Sequence, residues 1–502
     1  MSKHQTRVAM HYLAPIGGVL IFLLVVLPAH AEQSPLTVAP DDGDERPNFI
    51  FVITDDISAG DLGLYGNEAI RTPHLDQLAE QGVVLENAYL TISSCSPSRN
   101  SIITGRYPHN TGAPEIHVPL PEDQHTFIQD FNEAGYHTML SGKNHMAPPD
   151  QLGFDMASDS QPAGSENWID HLQNRPEGKP FFFWFASHDA HRPWQFNDNA
   201  PRYKPDEVWV PPYLYDGPRT RKDLASYYHE VSRTDYYVGK IVEELERQGI
   251  AENTYIIYAS DNGRPFPRSK TYLYESGIRT PLIIAGPRVS PGRTDALVSA
   301  IDFAPTFLDL AGLDKPKTIQ GVSFRSVLLD HEAEVRDVAF AERNWHRYRL
   351  HERMVRYGDW LYIRNYFPNK HNLSGESDPS QFPAAQELWD MHEQRKLSPA
   401  QHLITQVPQP IEQLYNVETD PHQTINLVHD PQYQDVLKRM QSLLDQWIEE
   451  TGDTVPDEPT LNRNTLRGER YEDWRRGELP GEAKNADTIT APGPLRVRES
   501  SL

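Results

Sequence analysis

Four short, continuously apolar runs constrain this chain most. They are NFIFVI from Asn48 to Ile53, PFFFWF from Pro180 to Phe185, TYIIY from Thr254 to Tyr258, and PLIIA from Pro281 to Ala285. An apolar run without alternation suits a strand buried on both faces, as in a parallel sheet covered by helices. Helical patterning lies between the runs. Leu224, Tyr228, Val231, Val238, Ile241 and Leu245 share one helical stripe, and Gly249 closes it. Strands alternating with helices predict an α/β domain over residues 47–335, built on a large mixed, mostly parallel sheet sandwiched by helices.

From about residue 336 the texture changes. VAFAERNW, RMVRYGDWLYI and EQLYNV predict shorter strands of an antiparallel sheet. A helix follows, with Asp430 as N-cap, Pro431 in the first turn, and Val436, Met440, Leu443 and Trp447 on one face. These elements predict a smaller C-terminal α+β subdomain over 336–455. Residues 456–502 are rich in charge, Pro and Gly and read as a polar tail, loosely ordered or wrapped over the surface.

The first residues carry an export pattern. Lys3 and Arg7 precede an apolar run from Ile16 to Leu27, and Ala29-His30-Ala31 is a small-x-small cleavage site. That predicts a signal peptide over 1–31, a linker over 32–46, and a periplasmic or secreted protein. The apolar run is 12 residues long, short of the roughly 20 needed to span a bilayer, so no membrane association is expected after cleavage. With 71 acidic and 47 basic residues the formal charge is −24, which argues against nucleic acid as a partner, because phosphate binding needs clustered cations. Cys95 is the single cysteine. It cannot form an internal disulfide, so it is either a small packed residue or a chemically used one.

The polar residues that end the apolar runs suggest which. The first run leads to Asp55-Asp56, the second to Ser187-His188 and the third to Asp261-Asn262. In open α/β sheets ligands bind beyond the carboxyl ends of the strands. Asp55, Asp56, Asp261 and Asn262 are all oxygen donors, which suits a hard divalent cation, and calcium better than magnesium because it tolerates a looser shell. In Cys95-Ser96-Pro97-Ser98-Arg99, Pro97 fits the first turn of a helix. A group at Cys95 then sits near a helix N-terminus, where anions are favoured, and Arg99 can return a positive charge to it.

C-S-P-S-R resembles the C-x-P-S-R signature of type I sulfatases, in the alkaline-phosphatase-like superfamily. GYHTMLSGKNH, from Gly135 to His145, is similar to the second signature of that family. Ser187-His188, Asp261-Asn262-Gly263, Lys270, SAIDFAPTFLDLAG and LYNVETDP follow in the family's order. The resemblance implies that a maturation enzyme oxidises Cys95 to formylglycine, whose hydrated aldehyde is the nucleophile. It implies that Asp55, Asp56, Asp261 and Asn262 hold calcium, with position 95 as a further ligand. Arg99 and Lys143 would steady the formylglycine. His145 would assist release of sulfate from the covalent intermediate, and His188 and Lys270 would bind sulfate and help protonate the leaving group. These roles agree with the chemistry. A sulfate monoester is an anion that repels nucleophiles, so its oxygens need cations and its leaving atom needs a proton.

Three segments look most like the N-sulfoglucosamine sulfohydrolase (heparan N-sulfatase) branch: SSCSPSR, FASHDAHR from Phe185 to Arg192, and DNGRPFP from Asp261 to Pro267. The chain departs from that branch at Lys270, where the branch carries Arg, so both an N-sulfated sugar and an O-sulfated glycan such as an algal polysaccharide fragment stay open. His117, His191, Arg192, Trp194, Arg264, Arg268 and His346 are candidate sugar contacts. Arg192 or Arg268 would meet a uronate or second sulfate, and Trp194 would stack on a sugar ring. His229, within the long helix, reads as structural. The alternatives are a phosphatase or phosphodiesterase on the same scaffold, or a non-catalytic glycan-binding relative with an unconverted cysteine.

Overall fold

The computed structural model describes residues 46–465 and 468–497. The expected signal peptide, all of the expected linker except Arg46, and the last five residues lie outside this range. Eight strands form the large sheet: β1 Asn48–Thr54, β2 Val83–Tyr89, β3 His137–Gly142, β4 Met156–Ser158, β5 Phe181–Ala186, β6 Thr254–Ser260, β7 Leu282–Ala285 and β8 Gly292–Ser299. Their order is β4-β3-β5-β1-β6-β7-β2-β8.

The first three apolar runs are β1, β5 and β6, which lie side by side and parallel at the centre, with every residue buried. The fourth run is β7, and it pairs antiparallel with both β6 and β2. Its direction follows from its connection. Between β6 and β7 the chain forms only a one-turn helix, Glu275–Ile278, too little to cross over and return parallel. Strands β2, β3 and β8 are interrupted by polar residues such as Glu86, Ser141 and Asp295, so they do not read as apolar runs.

Three helices matter for the site. Helix α1 spans Cys95–Thr104 and stops at Gly105, whose φ is 64°. A side chain at Gly105 would also bring its Cβ to 2.8 Å from Ile319. Helix α2 spans Pro218–Gln248, with Pro218 in its first turn and Gly249 in the left-handed conformation closing it. The expected stripe of Leu224, Tyr228, Val231, Val238, Ile241 and Leu245 is buried in the core. Helix α3 spans Gln434–Thr451, and Asp430 caps the short turn that leads into it.

The second sheet is antiparallel, in the order β12-β11-β10-β9, with β9 Val338–Arg343, β10 Glu352–Tyr357, β11 Trp360–Asn365 and β12 Glu412–Asn416. One face packs Phe340, Val355, Tyr362 and Leu414 against Met440, Leu444 and Trp447 of α3. The other packs Ala339, Met354 and Leu361 against Tyr89, Tyr272 and Tyr274. Strand β9 also lies beside the segment leading to α1, where the Glu342 N–H donates to Thr91 O at 2.7 Å. The sheet is thereby joined to the strand ends of the larger one. The tail packs here too: Trp474 stacks on Trp345 with centroids 5.2 Å apart, and Arg476 pairs with Glu115 at 2.6 Å. Among the described residues no helix is long and apolar enough to cross a membrane.

Candidate active site

Strands β1 and β6 run in register, Thr54 opposite Ser260, so the residues that follow them arrive together. Ligand atoms of Asp55, Asp56, Asp261 and Cys95 all lie within 4.8 Å of one another, and all four residues are buried. Asp56 has a φ of 63°, a left-handed conformation that Asp adopts more readily than most residues. The Asn262 amide donates to Asp56, while its own Oδ1 is buried without a partner. A free buried carbonyl oxygen beside three carboxylates fits a hard divalent cation. The residues present therefore suit a metal ion.

Three cations face the three carboxylates. Arg99 Nε donates to Asp261 Oδ2 at 2.8 Å, and its Nη1 to Lys143 O at 2.9 Å. Lys143 Nζ pairs with Asp55. Lys270 Nζ lies 2.6 and 2.8 Å from the two oxygens of Asp56. Three positive and three negative charges cancel, so a divalent ion brings the cluster to plus two, the sign an anionic group requires. Burial pushes the Asp56 and Asp261 carboxyls up. At Asp55 burial is outweighed by Lys143, with help from His191 and Lys270, and the carboxyl lies well below its usual range. Burial lifts the Cys95 thiol to about 12, against the pull of Lys143 and Lys270. An unmodified Cys95 is then a protonated thiol and a poor nucleophile at neutral pH.

Residues 47–313 match the family model described as Sulfatase. The chain belongs to the sulfatase family. Residues 268–370 of this sulfatase also match the C-terminal model described as N-sulphoglucosamine sulphohydrolase, C-terminal. The chain is 30% identical over 478 residues to the N-sulphoglucosamine sulphohydrolase of Homo sapiens, covering 81% of this chain and 91% of that one. It is 28% identical over 476 residues to an ulvan-active sulfatase of Formosa agariphila, covering 84% and 78% respectively. In fold it is similar to a structure solved in complex with its substrate D-glucosamine-2-N,6-O-disulfate, with a TM-score of 0.62, 21% identity, and coverage of 81% of this chain and 98% of the other.

Two cavities open onto the sulfatase cluster. One, of 420 Å³, is walled by Asp56, Cys95, His117, Lys270, His346 and Arg347 among others. The other, of 740 Å³, reaches Asp55, Lys143, His145, Asp159, His188 and Glu230. His145 and His117 touch, Nε2 to Nδ1 at 2.8 Å, and His145 Nδ1 is buried without a partner. Burial, then Lys143, depresses His145 to about 2, so its imidazole is neutral. His188 Nε2 meets Asp159 Oδ1 at 2.8 Å. His346 Nδ1 bonds Ser94 Oγ at 2.8 Å, which ties it to the residue before Cys95. His191 stands on the wall of both cavities.

Four expected sugar contacts are engaged elsewhere. Arg268 is buried; its guanidinium donates to the carbonyls of His422 (2.8 Å) and Gln423 and stacks 3.8 Å from the Tyr274 ring centroid. Arg264 pairs with Asp61 at 3.0 Å, also buried. Arg192 borders both cavities, but both of its terminal nitrogens are held by Asp223, at 2.6 and 2.7 Å. Trp194 donates to Asp223 and lies under the Arg192 guanidinium, so that ring is already stacked. In each case a nearby acid, carbonyl pair or aromatic ring engages the side chain, although Arg264 Nη1 and Arg268 Nε are buried without a hydrogen-bond partner. His229 is structural, bonding Pro201 O and accepting from the Asn197 N–H.

Sequence reading missed what aims the histidine loop. Arg233 of α2 donates to both oxygens of Asp189, at 2.6 and 2.5 Å, and to Gln195 O at 3.0 Å. Glu230 Oε1 accepts the Gln195 N–H at 2.5 Å. The two ends of the loop carrying His191 and Arg192 are thus clamped to one helix. The motif signal was the charged pair Glu230 and Arg233 on a helix whose other face is apolar, a pattern that ordinarily marks solvent.

Proposed function

We propose that this sulfatase removes a sulfate group, ester- or nitrogen-linked, from a sulfated carbohydrate, using calcium at the Asp55, Asp56, Asp261 and Asn262 cluster and a formylglycine made from Cys95. The observation that carries the reading is the buried Cys95 side chain, at the start of α1, within 4.8 Å of the acidic ligand atoms. When present, the cation neutralises sulfate oxygens and the hydrated aldehyde provides the attacking hydroxyl. Arg99, Lys143 and Lys270 then neutralise the remaining charge from fixed positions, without reorganising in the transition state. His145, neutral and with a free Nδ1, is suited to accept a proton beside position 95. His188, oriented by Asp159, is suited to hold the proton for the leaving oxygen or nitrogen. His117, His191 and His346 border the space left for the sugar.

The reading includes export and an encounter with a formylglycine-generating enzyme before or during folding, since Cys95 is buried once the chain is folded. The names of the human and Formosa relatives point to N-sulfated glucosamine and ulvan as first substrates to test. Free sulfate should be released from N-sulfoglucosamine or from an O-sulfated algal oligosaccharide by protein produced with a maturation enzyme. Release from neither, with the aldehyde present and calcium added, would reject the reading.

A further inference from the structure

Arg347, on the wall of the smaller cavity, and Arg463 and Arg470 of the tail have no carboxylate partner among the described residues. Arg347 is on the cavity wall, in the segment after β9 that also carries Trp345 and His346. Arg463 of the tail is laid along it: the Arg463 N–H donates to Arg347 O at 2.8 Å, and the neighbouring Asn462 Oδ1 accepts the Arg349 N–H at 2.6 Å. The tail then doubles back, with an antiparallel bridge between Asn464 and Arg470 and a Tyr471 N–H bond to Arg463 O at 3.0 Å. The side-chain partner of Arg347 is Gln381 Oε1, at 3.5 Å. Among the described residues no carboxylate pairs with Arg347, Arg463 or Arg470.

Arg99, Arg233, Arg336, Arg353 and Arg476 are each paired with a carboxylate, and acids outnumber bases 71 to 47. Other arginines without a carboxylate, such as Arg106 and Arg268, donate to backbone carbonyls instead. Three cations gathered without an acid repel one another. The guanidinium of Arg463 holds its proton less tightly than usual, first through burial and then through Arg470 and Arg347. Arg347 lines the cavity, and the charge of Arg463 is felt there at His117. His117 is depressed by burial and then by Arg463 ahead of Arg476, Lys143 and Arg347. Besides Asp56, the carboxylate on this cavity wall is Glu376, which faces Lys270. Repulsion of this kind is relieved by an anion, and a guanidinium recognises sulfate or carboxylate by paired hydrogen bonds.

We infer that Arg347 and Arg463, with Arg470 beside them, form a second anion subsite, which holds a further sulfate or a carboxylate on the saccharide whose first sulfate reacts at position 95. The inference rests on the proposed sulfatase reading and adds a requirement for a substrate with at least two negative groups. It assigns to Arg347 and the tail the role that the sequence suggested for Arg192 or Arg268.

The test uses three saccharides: N-sulfoglucosamine, its 6-O-sulfated form, and an N-sulfoglucosamine linked to a uronate. Calorimetric binding to full-length Cys95→Ala protein is measured with calcium present, alongside sulfate release by matured enzyme. The subsite predicts that one of the doubly charged ligands binds about tenfold more tightly than the singly charged one. Arg347→Ala and Arg463→Ala should each remove that advantage, raising KM about tenfold with kcat within about twofold. Arg463→Lys should recover only part of it. Which ligand loses affinity tells a sulfate from a carboxylate. Equal changes for all three ligands, or none, overturn the subsite, provided that the melting temperature of each variant shows it folded; Arg470→Ala, at an exposed position, repeats the test if one is not. Binding does not require turnover, so absence of sulfate release counts against the sulfatase reading alone.

Discussion

At the carboxyl ends of β1 and β6 every charge has a counter-charge: Arg99 meets Asp261, Lys143 meets Asp55, and Lys270 meets Asp56. Around the mouth, where the segment after β9 meets the tail, Arg347, Arg463 and Arg470 have none among the described residues. The difference separates two tasks. The strand-end cluster is buried and self-neutralising, so it can be held in place before anything binds. The mouth stores unbalanced charge that a substrate completes, which makes it a source of selectivity instead of rigidity.

The largest expected break is at the centre. Cys95→Ala should lower turnover by at least about 1,000-fold, with the fold intact because one small side chain is lost; sulfate release and a thermal melt check both. Metal removal comes next. Chelation should abolish activity and calcium restore it. Calcium should also raise the melting temperature, since an ion at 100 times its Kd adds about 2.7 kcal/mol to stability. A chelated protein that turns over normally would mean that the acidic cluster holds no functional metal.

A third change examines a buried acid that, unlike those at the centre, pairs with no cation among the described residues. Asp235 Oδ1 accepts the Leu75 N–H at 2.7 Å, yet burial lifts the carboxyl to about 7 over the lowering effect of the Leu75 and His74 hydrogen bonds. Its folded pKa therefore lies above its unfolded value. The protonated acid favours the fold fully below about pH 4, and that contribution declines as pH rises toward 7 and is lost above it. Asp235→Asn keeps the acceptor and removes the titration. The variant should gain about 2–4 kcal/mol relative to the parent between pH 4 and 7, read from denaturant unfolding at several pH values. A constant difference across that range would contradict the assignment.

The smallest effect on catalysis belongs to Arg268→Ala. Removing its bonds to His422 and Gln423 should cost about 1–3 kcal/mol of stability, while the preference for doubly over singly charged saccharides stays the same. A lost preference would return Arg268 to the substrate site and weaken the contrast between centre and mouth.

How far these features were legible in the sequence follows the same division. Asp55-Asp56, Asp261-Asn262 and the start of α1 could be read because β1 and β6 are uninterrupted apolar runs, and whatever ends such strands must gather at one edge. For Arg192 and Arg268, closeness in sequence to a strand end does not determine where a long side chain points; Asp223 and the carbonyls of residues 422 and 423 hold them. The contact of Arg463 with Arg347 joins the tail to the segment after β9, and no local pattern marks it. The polar strands β2, β3 and β8 were missed because their residues do not form apolar runs. The direction of β7 depends on the connection before it, which its own residues do not reveal.

The central claim is that position 95 acts as an aldehyde within a metal cluster. It is tested most directly by preparing the protein with graded amounts of maturation enzyme, measuring the aldehyde fraction at position 95 by peptide mass, and plotting sulfate release against it with calcium in excess. The account predicts a straight line through the origin, with Cys95→Ala at zero. Full turnover by protein whose Cys95 is entirely thiol would contradict it.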